Sequence, residues 1–196
     1  SINFSVILSK KMAGFDVREK GSGNAGTTNM LRSVGKKAAI ITLICDILKG
    51  VVSIGIAIIV GNIIKDLDKA LLVQIAGILV VVGHTFPIFF GFKGGKGVAT
   101  SLGVILMTNW KIGLICLIFA LVLMALTKMV SVGSIAAAIL FPVLTIFLTD
   151  TFIVTEGSNY FIYSILLAIL VAFNHRENIK RILNGTENKI SFKNAN

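Results

Sequence analysis

What most limits this chain is a succession of apolar runs long enough to cross a bilayer. Residues 38–64, 70–90 and 130–149 each reach the roughly 20 residues needed to span the hydrocarbon core, and 98–110, 112–127 and 160–174 are shorter but nearly as apolar. In lipid every backbone N–H and C=O must find a partner within the protein, so such runs form helices. With 55% hydrophobic and 14% charged residues, the chain lacks the polar surface that a water-soluble domain of this length requires. The expectation is an all-α integral membrane protein, multi-pass, with one domain over residues 1–196. Residues 1–9 are too short to span alone and read as the end of a first helix truncated in this chain. With the six runs that follow they make a seven-helix transmembrane bundle that includes short helices. Lys111 is expected to break 98–127 into a shallow hairpin. Pro87 and Pro142 fall inside predicted spans, where neighbouring helices can satisfy the freed carbonyls.

The connecting segments orient the bundle. Nineteen Lys and Arg against nine Asp and Glu give a net charge of +10, and the positive residues are clustered. Segments 10–37, 91–97, Lys128 and 175–196 are basic, 65–69 is balanced and 150–159 holds acids only. The positive-inside bias therefore puts the basic loops and the C-terminus at the cytoplasmic face, with Trp110, Tyr160 and Tyr163 near the outer interface. Basic clusters beside apolar spans select membrane lipid and anionic substrates. They carry no aromatic interleaving and no nucleic-acid-binding motif, so no nucleic-acid partner is expected. Cys45 and Cys116 lie in apolar runs without metal-ligand spacing and read as packed thiols, leaving no metal site.

Two loops carry the chemistry. Residues 21–29 (GSGNAGTTN) combine Gly21, Gly23 and Gly26 with Ser22, Asn24, Thr28 and Asn29, and Arg32 follows. Glycine lets backbone N–H groups converge on an anion, and short polar side chains add donors. The G-x-G-x-x-G spacing is not a dinucleotide fingerprint, because no strand precedes it. The second loop, 91–97 (GFKGGKG), supplies Lys93 and Lys96. It is no Walker motif: Phe90 replaces the first glycine and Gly97 the magnesium-binding hydroxyl. Glycine loops can simply turn the chain between helices. Two of them on one face, carrying Arg32, Lys93 and Lys96, favour cradles for two phosphate-bearing ligands or for one phosphate that moves between them.

Further polar residues stand at helical spacing. Asp46 and Lys49, one turn apart in an apolar run, are either a structural i,i+3 ion pair or a supporting element of the site. His84 ends a span before Phe86 and Pro87, where a cap or interface role is the plain alternative. His175 has Asn178 one turn later. Ser131 and Ser134 share a helix face, with bonding back to their own helix as the alternative. No nucleophile elbow, zincin motif or Cys/His pair is present. The H-x4-D signature of soluble-type glycerolipid acyltransferases is also missing, since Phe89 and Lys180 stand at the acid's position. An enzyme built this way needs a substrate that brings its own activation, as an acyl phosphate does.

GSGNAGTTNMLR, DILKG, GHTFPIFFGFKGGKGVAT, VSVGS and HRENIKRILNGTE, in that order, resemble the bacterial membrane acyl-phosphate:glycerol-3-phosphate acyltransferases over essentially the whole chain. The resemblance implies transfer of a fatty acyl group from acyl phosphate to the 1-hydroxyl of glycerol 3-phosphate, giving lysophosphatidic acid and phosphate. It also implies no cofactor, a bacterial plasma membrane location and an active site on the cytoplasmic side. By motif, Ser22, Asn24, Thr28 and Asn29 bind the acyl-phosphate head and the reacting carbonyl, while Arg32, Lys96, Ser134, His175 and Asn178 hold glycerol phosphate. Ser22, Thr28 and His175 are the expected catalytic residues, and Asp46, Lys49, His84 and Ser131 support them. The competing reading is a membrane transporter of a phosphorylated metabolite.

Overall fold

The structure is a computed structural model and describes residues 1–148 and 159–190. All regular secondary structure among these residues is helical. The helices are α1 (Phe4–Ala13), α2 (Thr27–Ser33), α3 (Lys36–Ile63), α4 (Lys69–Thr85), α5 (Val98–Thr108), α6 (Trp110–Thr127), α7 (Val130–Phe147), α8 (Asn159–Asn174) and α9 (Arg176–Leu183). Two 3-10 turns, Val17–Glu19 and Ile88–Phe90, sit in the connections. The α3, α6 and α7 helices and the segment Lys69–Phe90 are long and apolar enough to cross a membrane, and α5 and α8 are shorter apolar helices.

Large apolar side chains face outward along α3, whose buried face is richer in small and polar residues. Ile44, Leu48, Val52, Ile56 and Ile59 of α3 are exposed, whereas Thr42, Asp46, Gly50, Ile54 and Ala57 are buried. Lipid is as apolar as a leucine, so burial of large side chains gives little drive, and helices associate through close backbone approach and polar contacts. The α3–α5 contact shows this: a Cβ on Gly50 would run into the Thr100 carbonyl, and one on Gly103 into the Ile47 carbonyl. An inner cluster of Ile54, Val73, Val104, Ile112, Phe141, Tyr160 and Tyr163 fills the middle of the bundle.

Several boundaries differ from the sequence-based expectation, each for a local reason. The polar segment 12–37 is not all loop, because Thr27–Ser33 is helical and buries Met30 against Val17 and Ala25. Helix α4 stops at Thr85, before Pro87, whose ring disfavours helical geometry in the preceding residue. Pro142, by contrast, lies inside an unbroken α7. The break within 98–127 falls at Asn109 rather than Lys111: the buried Asn109 side chain accepts from the Ile112 N–H at 3.1 Å and caps α6. Tyr160 and Tyr163 turn inward: both are buried and pack edge-on around Phe141. The Tyr160 hydroxyl pairs with Thr108 at 2.9 Å, which gives the ring's polar tip a partner inside the bundle. Trp110 remains about half exposed. The acidic segment 150–159 lies outside the described residues except for Asn159, as do residues 191–196 of the basic tail.

Candidate active site

The basic segments come together at one end of the bundle. Arg18 joins the first loop to the second. Its guanidinium holds Asp16 with Nε–Oδ1 at 2.9 Å and Nη2–Oδ2 at 2.7 Å, and donates from Nη1 to the carbonyls of Phe90 (2.6 Å) and Lys93 (3.2 Å). The Arg18 bonds hold the Asp16 carboxyl down at about 2. At the seam a Cβ on Gly95 would collide with the His84 ring and crowd the Ala25 carbonyl, so glycine is required there for the two loops to meet. Asn174, at the end of α8, donates to Thr85 Oγ1 and to the Lys96 carbonyl, and the Ile190 N–H donates to the Lys128 carbonyl. The C-terminal segment is thereby docked on the same end.

Between these parts lies a cavity of about 770 Å³. Its polar end is lined by Ser22, Asn24, Gly26, Thr28 and Arg32 from the first loop and α2, by Lys96 from the second loop, and by Ser131, Ser134, His175 and Asn178 from α7–α9. Asp46 and His84 also reach it. Its other end is apolar, lined by Leu102, Ile105, Leu117, Ala120, Leu121, Ala137, Phe141 and Leu167 of α5–α8. One space thus offers cations and hydroxyls at its mouth and hydrocarbon in its depth. Thr27 and Thr28, the first residues of α2, line the polar end, and their N–H groups have no acceptor within the helix.

Not every expected residue faces this space. Gly21 and Gly23 do not line it; Gly21 adopts φ +59°, and a Cβ there would strike the Asn29 amide. Asn29 itself is committed to shaping the loop: Oδ1 accepts from the Ser22 N–H at 2.9 Å, while Nδ2 donates to the carbonyls of Val17 (2.8 Å) and Lys20 (3.0 Å). Asn29 does line the cavity, so it shapes the loop from within the site. Lys93 projects to solvent away from the cavity, and only its backbone carbonyl joins the network. Ser134 bonds back to the Val130 carbonyl at 2.9 Å, whereas Ser131 does not bond back and donates to Glu187 at 2.9 Å. Asp46 and Lys49 form their ion pair at 2.7 Å; Asp46 lines the cavity and Lys49 does not.

Glu187 is the residue that motif reading missed. Its buried carboxylate accepts from Ser131 Oγ, from Asn178 Nδ2 at 2.7 Å and from Arg181 Nε at 2.8 Å. Burial alone would raise this carboxyl, but the bonds from Asn178, Ser131 and Arg181 outweigh it and hold it below the usual range. Asn178 in turn accepts from Lys96 Nζ through Oδ1. The sequence held one signal, a lone acid beyond α9 in an otherwise basic tail. Thr27 and Ser101 were also missed. Both line the cavity, and the hydroxyl of each is buried without a hydrogen-bond partner.

The charge states follow from burial. Burial, with Arg181 and Arg32 nearby, brings the Lys96 ammonium down to about 8. Burial likewise takes His175 down to about 4, so its ring is neutral at neutral pH. Its Nδ1 lies 2.8 Å from the Val171 carbonyl; a carbonyl only accepts, so Nδ1 carries the hydrogen and Nε2 is a free acceptor.

Residues 1–185 match the glycerol-3-phosphate acyltransferase family. The chain belongs to that family. It is 42% identical over 193 residues to the glycerol-3-phosphate acyltransferase of Clostridioides difficile, covering 98% of this chain and 91% of that protein. To the enzyme of Thermoanaerobacter pseudethanolicus it is 45% identical over 192 residues, covering 98% and 90%. Among solved structures it resembles PlsY (YgiH), an integral membrane glycerol 3-phosphate acyltransferase crystallised in its glycerol 3-phosphate form, with TM-score 0.81 and 34% identity over 96% of this chain and 90% of that one. The lysophosphatidic acid form of PlsY aligns with TM-score 0.75. The family assignment and the apolar spans agree on a multi-pass membrane enzyme.

Proposed function

We propose that this family member acylates the 1-hydroxyl of glycerol 3-phosphate with acyl phosphate as donor, releasing lysophosphatidic acid and inorganic phosphate. The observation that carries this reading is the single cavity with a cationic mouth and an apolar depth. It suits a donor that is part dianion and part hydrocarbon, beside an acceptor that is a second dianion. In this reading Arg32, Lys96 and Asn178 hold the glycerol phosphate, with Ser134 beside them. Ser22, Asn24 and Thr28 hold the phosphate of the donor, whose chain runs along α5–α8. Two reactants fixed side by side react as if intramolecular, which removes much of the barrier. The N–H groups at the start of α2 face the carbonyl and stabilise its tetrahedral oxyanion.

In the transfer the glycerol oxygen bonds to the acyl carbon, the acyl–phosphate C–O bond breaks, and the hydroxyl proton leaves with the released phosphate. Phosphate oxygens can take that proton themselves. His175 Nε2, a free acceptor, orients the hydroxyl and is the alternative base. The whole chain acts as one domain, a seven-helix bundle in the bacterial plasma membrane with its basic end, active site and C-terminus cytoplasmic. No cofactor is required.

The test is to supply purified protein with palmitoyl phosphate and glycerol 3-phosphate and look for lysophosphatidic acid. Its absence, with flux of glycerol phosphate across liposomes, would instead support a transporter. The pH profile gives a second check. The Lys96 ammonium is charged below about 8 and neutral above it. Hence kcat/KM for glycerol 3-phosphate is expected to be level near pH 7 and to fall as pH rises through 8 to 9. Lys96→Arg should remove that fall, because a guanidinium stays charged throughout this range.

A further inference from the structure

Asp46, Lys49 and His84 form a buried chain of three titratable groups that the reaction as described does not use. Lys49 Nζ is 2.7 Å from Asp46 Oδ1 and 2.5 Å from His84 Nδ1, and Asp46 Oδ1 is 3.5 Å from the same ring nitrogen. Asp46 and His84 are almost fully buried. Lys49 Nζ also reaches the Ile2 carbonyl at 3.4 Å, so its neighbours are a carboxylate, a carbonyl and the ring nitrogen, a set that the three hydrogens of an ammonium match one to one. An ammonium has donors only, so the nitrogen it touches must accept. His84 Nδ1 is therefore bare and Nε2 carries the hydrogen, because the bond made by one ring nitrogen fixes the state of the other.

The Nε2 edge of the ring lies against Gly95 at the seam between the two loops, and His84 lines the cavity. No hydrogen bond engages Nε2 among the described residues. We propose that His84 Nε2–H is an additional hydrogen-bond donor to the phosphorylated substrate, with Asp46 and Lys49 acting as positioning residues that fix its tautomer. The site then uses its two histidines in opposite senses: His84 donates from Nε2, and His175, whose Nδ1–H is held by Val171, accepts at Nε2. This rests on the reading of the cavity as a site for phosphorylated substrates.

The chain has two histidines, so protein labelled with 15N-histidine gives two imidazole patterns, assigned by the loss of one in His84→Gln. The expected spectrum has His84 protonated at Nε2 and His175 at Nδ1, with glycerol 3-phosphate shifting the His84 Nε2–H signal. Kinetics supply a second readout. Glutamine places an amide donor where Nε2 stood and asparagine places it near Nδ1. The kcat/KM of His84→Gln should therefore exceed that of His84→Asn by about 10- to 100-fold, as expected for one bond to a charged ligand. The proposal is overturned if His84 is protonated at Nδ1 alone, if saturating glycerol 3-phosphate leaves its Nε2–H unmoved, or if the Gln and Asn variants are equally active. Should His84→Gln not fold, loss of the other pattern in His175→Gln makes the same assignment for the unsubstituted protein. A shifted Nε2–H in a protein that makes no lysophosphatidic acid would count against the acyltransfer reading and leave the donor role intact.

Discussion

Lys96→Ala is expected to lower kcat/KM for glycerol 3-phosphate by about 100-fold, equivalent to about 2.7 kcal/mol, with the KM for the acyl phosphate within about threefold of the unsubstituted enzyme. The ammonium is largely buried at the cavity mouth and bound to Asn178. Its charge therefore acts on a dianion with little solvent screening, and charge-assisted bonds are the strong ones. A loss shared equally between the two substrates would mean that Lys96 holds the loops together rather than the acceptor. Steady-state kinetics with each substrate varied in turn separates these outcomes.

Glu187→Ala is expected to be more damaging to the fold. It leaves Ser131, Asn178 and Arg181 without their common acceptor; Arg181 is about one-third exposed and can turn to water, but each buried polar group left unpaired costs about 1–3 kcal/mol. The thermal midpoint of the detergent-solubilised protein should drop by several degrees, with near-complete loss of activity as Asn178 loses the bond that fixes its amide. Glu187→Gln retains an acceptor for Ser131 or Asn178 but not the charge for Arg181, and should fall between. A Glu187→Ala protein with unchanged midpoint and activity would show that the carboxylate neither supports α9 nor orients Asn178.

Much of this was legible from residue order alone, and what was not has identifiable causes. Chain periodicity exposes features that repeat within one helix: the lipid-facing stripe of α3, the Asp46–Lys49 pair and the one-turn spacing of His175 and Asn178. The clustering of positive charge also anticipated which loops share an end of the bundle. Contacts across distant segments leave no such mark. Glu187 gains its role from α7 and α9 together, and Arg18 from carbonyls 72 and 75 residues away. Composition also overstates some residues. Lys93 sits in a polar glycine loop, yet its side chain is exposed and lines no part of the cavity, whereas Asn29 does line it while its amide also builds the loop. The inward packing of Tyr160 and Tyr163 on Phe141 and Thr108 is likewise a contact between segments that composition does not reveal.

The account depends on both phosphorylated guests occupying the cavity together. A non-hydrolysable acyl phosphonate keeps the donor's shape and charge but cannot transfer its chain, so it can be titrated calorimetrically with and without saturating glycerol 3-phosphate. The predicted result is a ternary complex, with the phosphonate binding one equivalent in both cases and glycerol 3-phosphate still bound afterwards. Mutual displacement of the two ligands would contradict it.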